Sequence, residues 1–286
     1  MRRKLKAAFT AAAVAGTLGA VPLLSGQAAI ADSPGANTRP PSLAAVGLTS
    51  DGIRLAQFET RSRSVERPRR VVPVSGLLAG ESLVGIDYRV QDGLLYGVAS
   101  GGRIYTLDAS TGLATYTGQT LGAALAGNTV FDVDFNPTTG ELRVVGNANL
   151  NLRHNVITNV TTAETALSDL GVTAIAYTNN DSDPATGTTL FDIDTDTSVD
   201  QLAIQSPPST GSLTPTGNLG VNAALNAGFD IYSRVVGGTS VDSVGFATLS
   251  VAGQYGLYSI NLLTGHADLI GQFPTGTQVS DLAVKP

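Results

Sequence analysis

The sequence has no cysteine and no tryptophan, and only 14% of its 286 residues are charged. Without cysteine, the chain has neither disulfide bonds nor a thiol nucleophile, so its stability must come from core packing and strand hydrogen bonds. G-x-S-x-G, P-loop and G-x-G-x-x-G motifs are also missing, which argues against serine hydrolases and nucleotide-binding enzymes. The two histidines, His154 and His266, flank a repeated turn. We interpret them as packing or surface residues, not as catalytic bases.

Glycine, proline and β-branched residues are plentiful by contrast. The chain contains 33 Gly and 13 Pro, and 42% of its residues are hydrophobic. Short apolar runs rich in β-branched residues recur between clusters of Gly, Asn, Asp and Thr. This pattern predicts an all-β protein built from many short strands.

The first 31 residues have the three parts of a secretory signal peptide. Arg2, Arg3, Lys4 and Lys6 precede an uncharged stretch from Ala7 to Leu24, and Ala29-Ile30-Ala31 forms a small-x-small cleavage site. The stretch is rich in Ala, Gly and Thr and contains Pro22, so it suits a membrane span poorly. We therefore expect a secreted, extracellular protein cleaved near Ala31, by either the general or the twin-arginine route. Residues 32–42 are rich in proline and predict a flexible leader before a single domain over 43–286.

The charge outside the signal peptide is strongly acidic. Four of the 17 Lys and Arg lie in the signal, which leaves 13 against 23 Asp and Glu. Such a chain is not expected to bind nucleic acid. Basic residues do crowd the segment "RSRSVERPRR" at Arg61 to Arg70, where Glu59 and Glu66 dilute them. We interpret this segment as a solvated hairpin, with a patch for anionic surfaces as the alternative.

One turn-containing segment occurs several times. "IYTLDASTGLATYTG" at Ile104 to Gly118 is nearly repeated by "LYSINLLTGHADLIG" at Leu257 to Gly271. A degraded copy carries Asn159 in place of the last turn glycine, and another spans Leu202 to Gly217. Asn is the non-glycine residue that best tolerates a positive φ, so we expect the same turn at Asn159. Recurrence at this spacing is typical of arrays, solenoids and propellers.

A second repeated element indicates how the array closes. Short strands are predicted at "VGIDYR", "DVDFNP", "AIAYTN", "GFDIYS" and, finally, "VSDLAVKP" at the C-terminus. The first segment of the domain lacks such a strand, and the last one has nothing after it. A C-terminal strand that joins the first blade would remove both open edges of a ring. We predict a five-bladed β-propeller, with a β-sandwich as the alternative; the blades are Leu43–Leu78 plus Gln278–Pro286, Leu83–Thr120, Thr129–Leu170, Val172–Leu219 and Gly228–Phe273.

The residues also resemble a known family. The stretches "GIDYRVQDGLLYGVASGGRIYTLDASTGLATYTG", "FDVDFNPTTGELRVVGNANLNLRHN", "AYTNND", "LFDIDTDTSVDQLAIQSPPSTGSLTPTGNLGV" and "GFDI" are similar to the secreted bacterial family catalogued as domain of unknown function 4394. The resemblance is clearest from Ser75 to Val284. It implies no chemistry, because the family has no assigned activity.

Three acidic residues stand at comparable places in the predicted inner strands. Asp87, Asp134 and Asp230 should point into a common space if the repeats align, whereas the fourth inner strand offers Ala176 and the closing strand Ala283 or Asp281. These hard oxygen ligands make Asp87, Asp134 and Asp230 candidate metal ligands, and Ca²⁺ is the ion that they would suit. Water and separation alone could also relieve their repulsion.

A second acidic segment fails as a calcium loop. In "FDIDTDTSVD" the spacing of Asp192, Asp194, Asp196 and Asp200 imitates the start of an EF-hand loop. The sixth position is Thr197 instead of Gly, and the twelfth is Ala203 instead of a bidentate Glu. We therefore predict two paired strands, Leu190–Asp194 and Gln201–Gln205, joined by an acidic solvated turn.

The sequence favours a monomeric, non-catalytic binding module at the cell surface or in the medium, with an extracellular protein or glycan as its partner. The alternative is a glycoside hydrolase that uses carboxylates at the central channel. No Glu lies on any predicted inner strand, so the alternative lacks an obvious general acid.

Overall fold

The computed structural model describes residues 40–286 except 182, 184 and 196–198. The predicted signal peptide and most of the leader lie outside these residues, and so do Asp196 and Thr197 of the acidic segment. Among the residues that are described, no helix is both long and apolar enough to cross a membrane.

The described strands form five antiparallel sheets of four strands each, which are the blades of a β-propeller. The first blade contains β1 (Ala44–Thr49), β2 (Arg54–Glu59), β3 (Arg70–Pro73) and β20 (Val279–Val284). The second contains β4 (Leu83–Arg89), β5 (Leu94–Ala99), β6 (Arg103–Leu107) and β7 (Ala114–Thr120). The third contains β8 (Phe131–Phe135), β9 (Leu142–Gly146), β10 (Leu150–Asn155) and β11 (Val160–Ala163).

The last two blades are also built from consecutive strands. The fourth contains β12 (Val172–Tyr177), β13 (Leu190–Asp194), β14 (Gln201–Gln205) and β15 (Leu213–Asn218). The fifth contains β16 (Ala223–Val236), β17 (Thr239–Val251), β18 (Gln254–Ile260) and β19 (Ala267–Gln272). One short helix, α1 (Ser62–Val65), lies between β2 and β3, and 3₁₀ turns occupy Gly122–Leu125 and Pro208–Thr210.

The innermost strands close the ring. Strands β20, β4, β8, β12 and β16 contact one another in that cyclic order. The C-terminal strand β20 pairs with β1, where Ala45 lies opposite Val284 and Gly47 opposite Leu282. The first blade therefore takes its inner strand from the far end of the chain, so that β1 is paired on both of its edges. The predicted five blades and the closing C-terminal strand are confirmed.

The hydrophobic core lies between adjacent blades. Aromatic side chains meet edge to face across these boundaries, with ring centroids 5.2 Å apart for Phe58 and Phe273 and 5.0 Å apart for Tyr96 and Phe135. All six residues of the closing strand β20 are buried. Closing the ring thus buries apolar surface on both sides of one strand, and this burial contributes to stability in proportion to its area.

The repeated turn joins the third and fourth strands of a blade. In the second blade, Asp108 Oδ1 accepts hydrogen bonds from the N–H groups of Ser110 and Thr111, and Gly112 follows with a φ of 79°. In the third blade, Asn159 takes the glycine position with a φ of 57°. The turn predicted at Asn159 is therefore confirmed. The sequence repeats because the same outer hairpin recurs in blades two to five.

Candidate functional site: carboxylates of the inner strands

Alternate residues of each inner strand face the inner strand of the next blade, as the two-residue period of a strand requires. Each strand contributes two such positions. The first set is Gly85, Asp132, Ala174, Gly228 and Asp281, and the second is Asp87, Asp134, Ala176, Asp230 and Ala283. The five aspartates among them are buried, with 0 to 8% exposure. We call these five the bridging aspartates, because their carboxylates join neighbouring blades.

The bridge is a hydrogen bond from a backbone N–H of the next inner strand. The bonds are Ile86 N–H to Asp281 Oδ2 (2.7 Å), Phe135 to Asp87 Oδ2 (2.7 Å), Ile175 to Asp132 Oδ2 (2.8 Å), Tyr177 to Asp134 Oδ1 (3.2 Å) and Val284 to Asp230 Oδ2 (2.5 Å). Four of the five joints between inner strands are bridged in this way. At the fifth, between β12 and β16, Ser233 Oγ accepts the N–H of Asn179 at 2.8 Å.

One glycine makes room for this arrangement. A Cβ atom on Gly228 would lie 2.4 Å from Cα of Asp281 and 2.6 Å from its Oδ1. The backbone of the closing strand therefore approaches β16 more closely than any side chain would permit. The spacing of Gly228 and Asp230 in "GFDI" thus serves two purposes, because the glycine admits the closing strand and the aspartate bonds to it.

Three of the bridging aspartates converge. Asp87, Asp134 and Asp230 each offer a carboxylate oxygen, and these three oxygens all lie within 4.8 Å of one another. The side chains are only 6%, 4% and 8% exposed. The structure therefore brings together the three residues that the repeat alignment selected. We call them the channel aspartates.

The electrostatics of this cluster favour the neutral acid when no cation is bound. Burial raises the pKa of Asp230 to about 7, against hydrogen bonds from the N–H groups of Val284 and Ile231. Burial also raises the pKa of Asp87 and of Asp134 well above the usual range, and repulsion from neighbouring carboxylates raises both further. Taking carboxylates out of water into shared space has this effect because the charged forms lose hydration and repel.

Two further aspartates extend the cluster along the ring. Burial raises the pKa of Asp281 to about 7. Burial and the neighbouring Asp281 raise the pKa of Asp132 well above its usual range. Asp132 Oδ1 is fully buried and accepts no hydrogen bond from any described residue. The alignment of the inner strands points to Asp281 or Ala283 but not to Asp132, although the period of two in "DVDF" places Asp132 and Asp134 on one face of β8.

A small cavity opens at the end of the ring that is nearer to Asp132 and Asp281. It has a volume of about 180 Å³, and residues from the beginnings of four inner strands line it: Val84, Phe131, Asn226 and Ser280. The loop from Thr49 to Gly52 covers one side. The residues that line this cavity do not include the bridging aspartates themselves.

The other sequence candidates lie elsewhere. Asp192 and Asp194 lie on β13 and are buried, and β13 pairs with β14, so the predicted strand pair is confirmed. His154 is buried between hydrogen bonds to Thr161 and Gln119, whereas His266 has 57% of its side chain exposed. Neither histidine belongs to the carboxylate cluster.

The chain matches a known protein family over most of its length. A family model described as "Domain of unknown function (DUF4394)" matches residues 54–283. The chain belongs to this family. The matched region includes all five bridging aspartates and omits β1, which pairs with the closing strand. No curated protein gives a significant match.

Two solved structures are similar to this chain at low sequence identity. A chain in the crystal structure of a nidogen/laminin complex is 8% identical with a TM-score of 0.52, and the match covers 86% of this chain and 99% of that one. An auxiliary nutrient binding protein from Bacteroides thetaiotaomicron is 11% identical with a TM-score of 0.44, covering 80% of this chain and 56% of that one. At this identity the first match shows the fold alone.

Proposed function

We propose that this DUF4394 protein is a non-catalytic binding module, exported to the cell surface or the medium, whose ring holds a divalent cation, Ca²⁺ in the simplest case. The convergence of Asp87, Asp134 and Asp230 carries the cation part of the proposal. The N-terminal segment, with its basic start and small-residue cleavage site, supports export.

The distances within the cluster suit one calcium ion. Ca²⁺ binds oxygen ligands at about 2.3–2.6 Å. Two oxygens that both lie about 2.4 Å from one ion are at most about 4.8 Å apart, which is the limit that the three channel aspartates meet. Carboxylate oxygens are hard ligands, and neither cysteine nor histidine belongs to the cluster, so the site favours Ca²⁺ or Mg²⁺ over softer metals.

Asp132 lies beside the channel aspartates, where its charge raises the pKa of Asp134. A buried acceptor without a donor costs free energy, and a buried carboxylate costs more. Asp132 Oδ1 has no donor among the described residues, and Asp281 lies close enough to raise its pKa. Asp132 and Asp281 share a side-chain hydrogen bond when one of them is protonated, so the cation proposal rests on the channel aspartates, to which Asp132 does not belong.

The role proposed for the cation is to complete the ring, not to perform chemistry. The bridging aspartates already accept backbone N–H groups from the next blade, so a cation held by them would tie inner strands of three different blades together. Such an ion binds the folded ring and not the unfolded chain, and it therefore stabilises the folded state by mass action.

A calcium titration tests this proposal. Thermal unfolding of the purified protein is measured in EGTA, in excess CaCl₂ and in excess MgCl₂. At a calcium concentration of about 100 times Kd, we expect a stabilisation of about 2.7 kcal/mol, or about 5–10 °C in Tm for a domain of this size. Calorimetry should give one ion per chain. Asp134→Asn should abolish the shift, whereas Asp268→Asn, at a side chain that is 75% exposed, should retain it. Identical melting of the wild-type protein in all three solutions would overturn the cation site.

A glycoside hydrolase is the competing function, and one observation favours it. The pKa values of about 7 for Asp230 and Asp281 fall in the range of a general acid. However, both carboxylates accept N–H groups of adjacent strands, and their residues are only 8% and 4% exposed. Release of reducing ends from a polysaccharide panel, lost in Asp230→Asn, would replace the binding proposal with the hydrolase.

A further inference from the structure

The connection between β2 and β3 of the first blade differs from its counterparts. In blades two to five, the third and fourth strands are joined by six, four, seven and six residues, respectively. In the first blade, ten residues (60–69) separate them, and four of these are arginines: Arg61, Arg63, Arg67 and Arg69. The segment interpreted from sequence as a solvated hairpin is therefore an insertion in place of the repeated turn.

This insertion is anchored to the propeller. Val65 of α1 is fully buried, and Ser64 Oγ accepts the N–H of Glu59 at 2.8 Å. The N–H of Arg69 donates to the carbonyl of Gln57 at 2.7 Å. Helix α1 also packs against β19 of the fifth blade. Because buried contacts fix both the middle and the end of the segment, its arginine side chains project from a defined backbone.

The arginines line a cavity of about 660 Å³ beside the first two blades. Alanines of β1 and the half-buried Tyr88 of the second blade form part of its wall, and Lys285, directly after the closing strand, adds a fifth cation. Arg61 is paired with Glu59 at 2.9 Å. Arg63, Arg67, Arg69 and Lys285 form no ion pair with any residue that the structure describes. Four unneutralised cations thus surround one concave space.

This concentration of positive charge is exceptional within the chain. Five of the 13 Lys and Arg outside the predicted signal line this cavity, although 23 acidic residues dominate the whole protein. Like charges that share a cavity repel one another. A bound anionic ligand would attract each of these cations and so offset their mutual repulsion. Guanidinium groups suit carboxylate, sulfate and phosphate because their N–H donors match two oxygens at once.

We propose that this cavity binds an anionic oligosaccharide that carries sulfate or carboxylate groups. Its volume lies in the range of small-molecule sites and far exceeds the space for a single inorganic anion. Tyr88 and the alanines offer apolar surface for the carbon faces of a sugar ring, while the arginines bind its acidic groups. A long nucleic acid is disfavoured because the acidic remainder of the surface repels an extended polyanion. The inference names the ligand class of the proposed binding module and rests on that proposal.

Calorimetric titrations at 50 mM salt test this inference with five defined probes: a sulfated heparin hexasaccharide, a galacturonate hexamer, neutral maltohexaose, inorganic phosphate and a six-nucleotide DNA. We expect binding of at least one acidic saccharide, weakening with added salt, and no binding of maltohexaose. Arg63→Gln/Arg67→Gln should weaken the binding at least tenfold. The control Arg70→Gln/Arg234→Gln removes the same charge from two exposed arginines outside the cavity and should leave Kd within about twofold.

The outcomes separate this inference from the proposed cation. Binding should be the same in calcium and in EGTA under conditions in which both forms are folded, so failure of the calcium titration leaves the cavity assignment standing. Equal losses in the two arginine variants would mean that general charge and not the cavity attracts the probe, and would overturn the proposal. Tighter binding of DNA than of both acidic saccharides, or binding of phosphate alone, would also overturn it. Thermal melts of both variants verify that they remain folded.

Discussion

Asp281 Oδ2 accepts the backbone N–H of Ile86 at 2.7 Å, which joins two residues that are 195 positions apart in the chain. Asp281 Oδ1 accepts the N–H of Leu282 at 2.7 Å, so both carboxylate oxygens are used. This pair connects the closing strand to the first strand of the second blade. Ring closure therefore depends on a side chain as well as on the pairing of β20 with β1.

The bridge from Asp281 should contribute measurably to stability. Asp281→Ala leaves the buried N–H of Ile86 without an acceptor, and an unpaired buried donor costs about 1–3 kcal/mol. Asp281→Asn keeps an acceptor oxygen and removes the same negative charge. We therefore expect the Ala variant to be less stable than the Asn variant by about 1–3 kcal/mol in urea unfolding. Equal stability of the two variants would show that only the charge of Asp281 matters.

Removal of the closing strand should destabilise the whole ring. Deletion of residues 278–286 eliminates β20 with its buried Leu282 and Val284 and exposes the inner edge of β1. We expect the loss to be several kcal/mol, a large part of the stability of an ordinary domain. The measurement is the free energy of unfolding by circular dichroism. Deletion of Lys285 and Pro286 alone, which are exposed, should change it by less than about 1 kcal/mol. An unchanged transition in the longer deletion would contradict the five-blade closure.

The burial of Asp192 leads to a separate prediction about how the stability of the protein depends on pH. It is fully buried, and neither of its oxygens accepts a hydrogen bond from a described residue. Burial raises its pKa well above the usual range, against the attraction of Arg143. The folded state therefore holds this proton more tightly than the unfolded state, and the stabilisation present below pH about 4 is lost as the pH rises through the folded pKa.

The variant Asp192→Asn removes this pH dependence. Its stability relative to the wild-type protein should rise with pH between pH 4.5 and pH 8, since the wild-type protein loses this stabilisation as the pH rises and the variant does not. Urea unfolding at several pH values measures the difference. Asp268→Asn, at an exposed position, should show no such trend. A difference between Asp192→Asn and the wild-type protein that is constant with pH would assign the effect to packing.

The repeat in the sequence determined the architecture. Blades two to five each have an outer hairpin whose turn contains a residue with positive φ, and this local requirement accounts for Gly112 and Asn159. The period of two within the inner strands likewise placed Asp87, Asp134 and Asp230 on equivalent faces. Local backbone geometry and periodicity are readable from sequence because they act over a few neighbouring residues.

Only the tertiary structure decided which charges share a space. The two-residue period of β8 marks Asp132, but nothing in the sequence pairs it with Asp281, and ring closure brings the two together from positions about 150 residues apart. In the same way, the nearby glutamates in the sequence hid the fact that Arg63 and Arg67 line a basic cavity. Lys285, near the C-terminus, lines the same cavity. Distance between charges depends on how the blades pack, and strand periodicity carries no information about that packing.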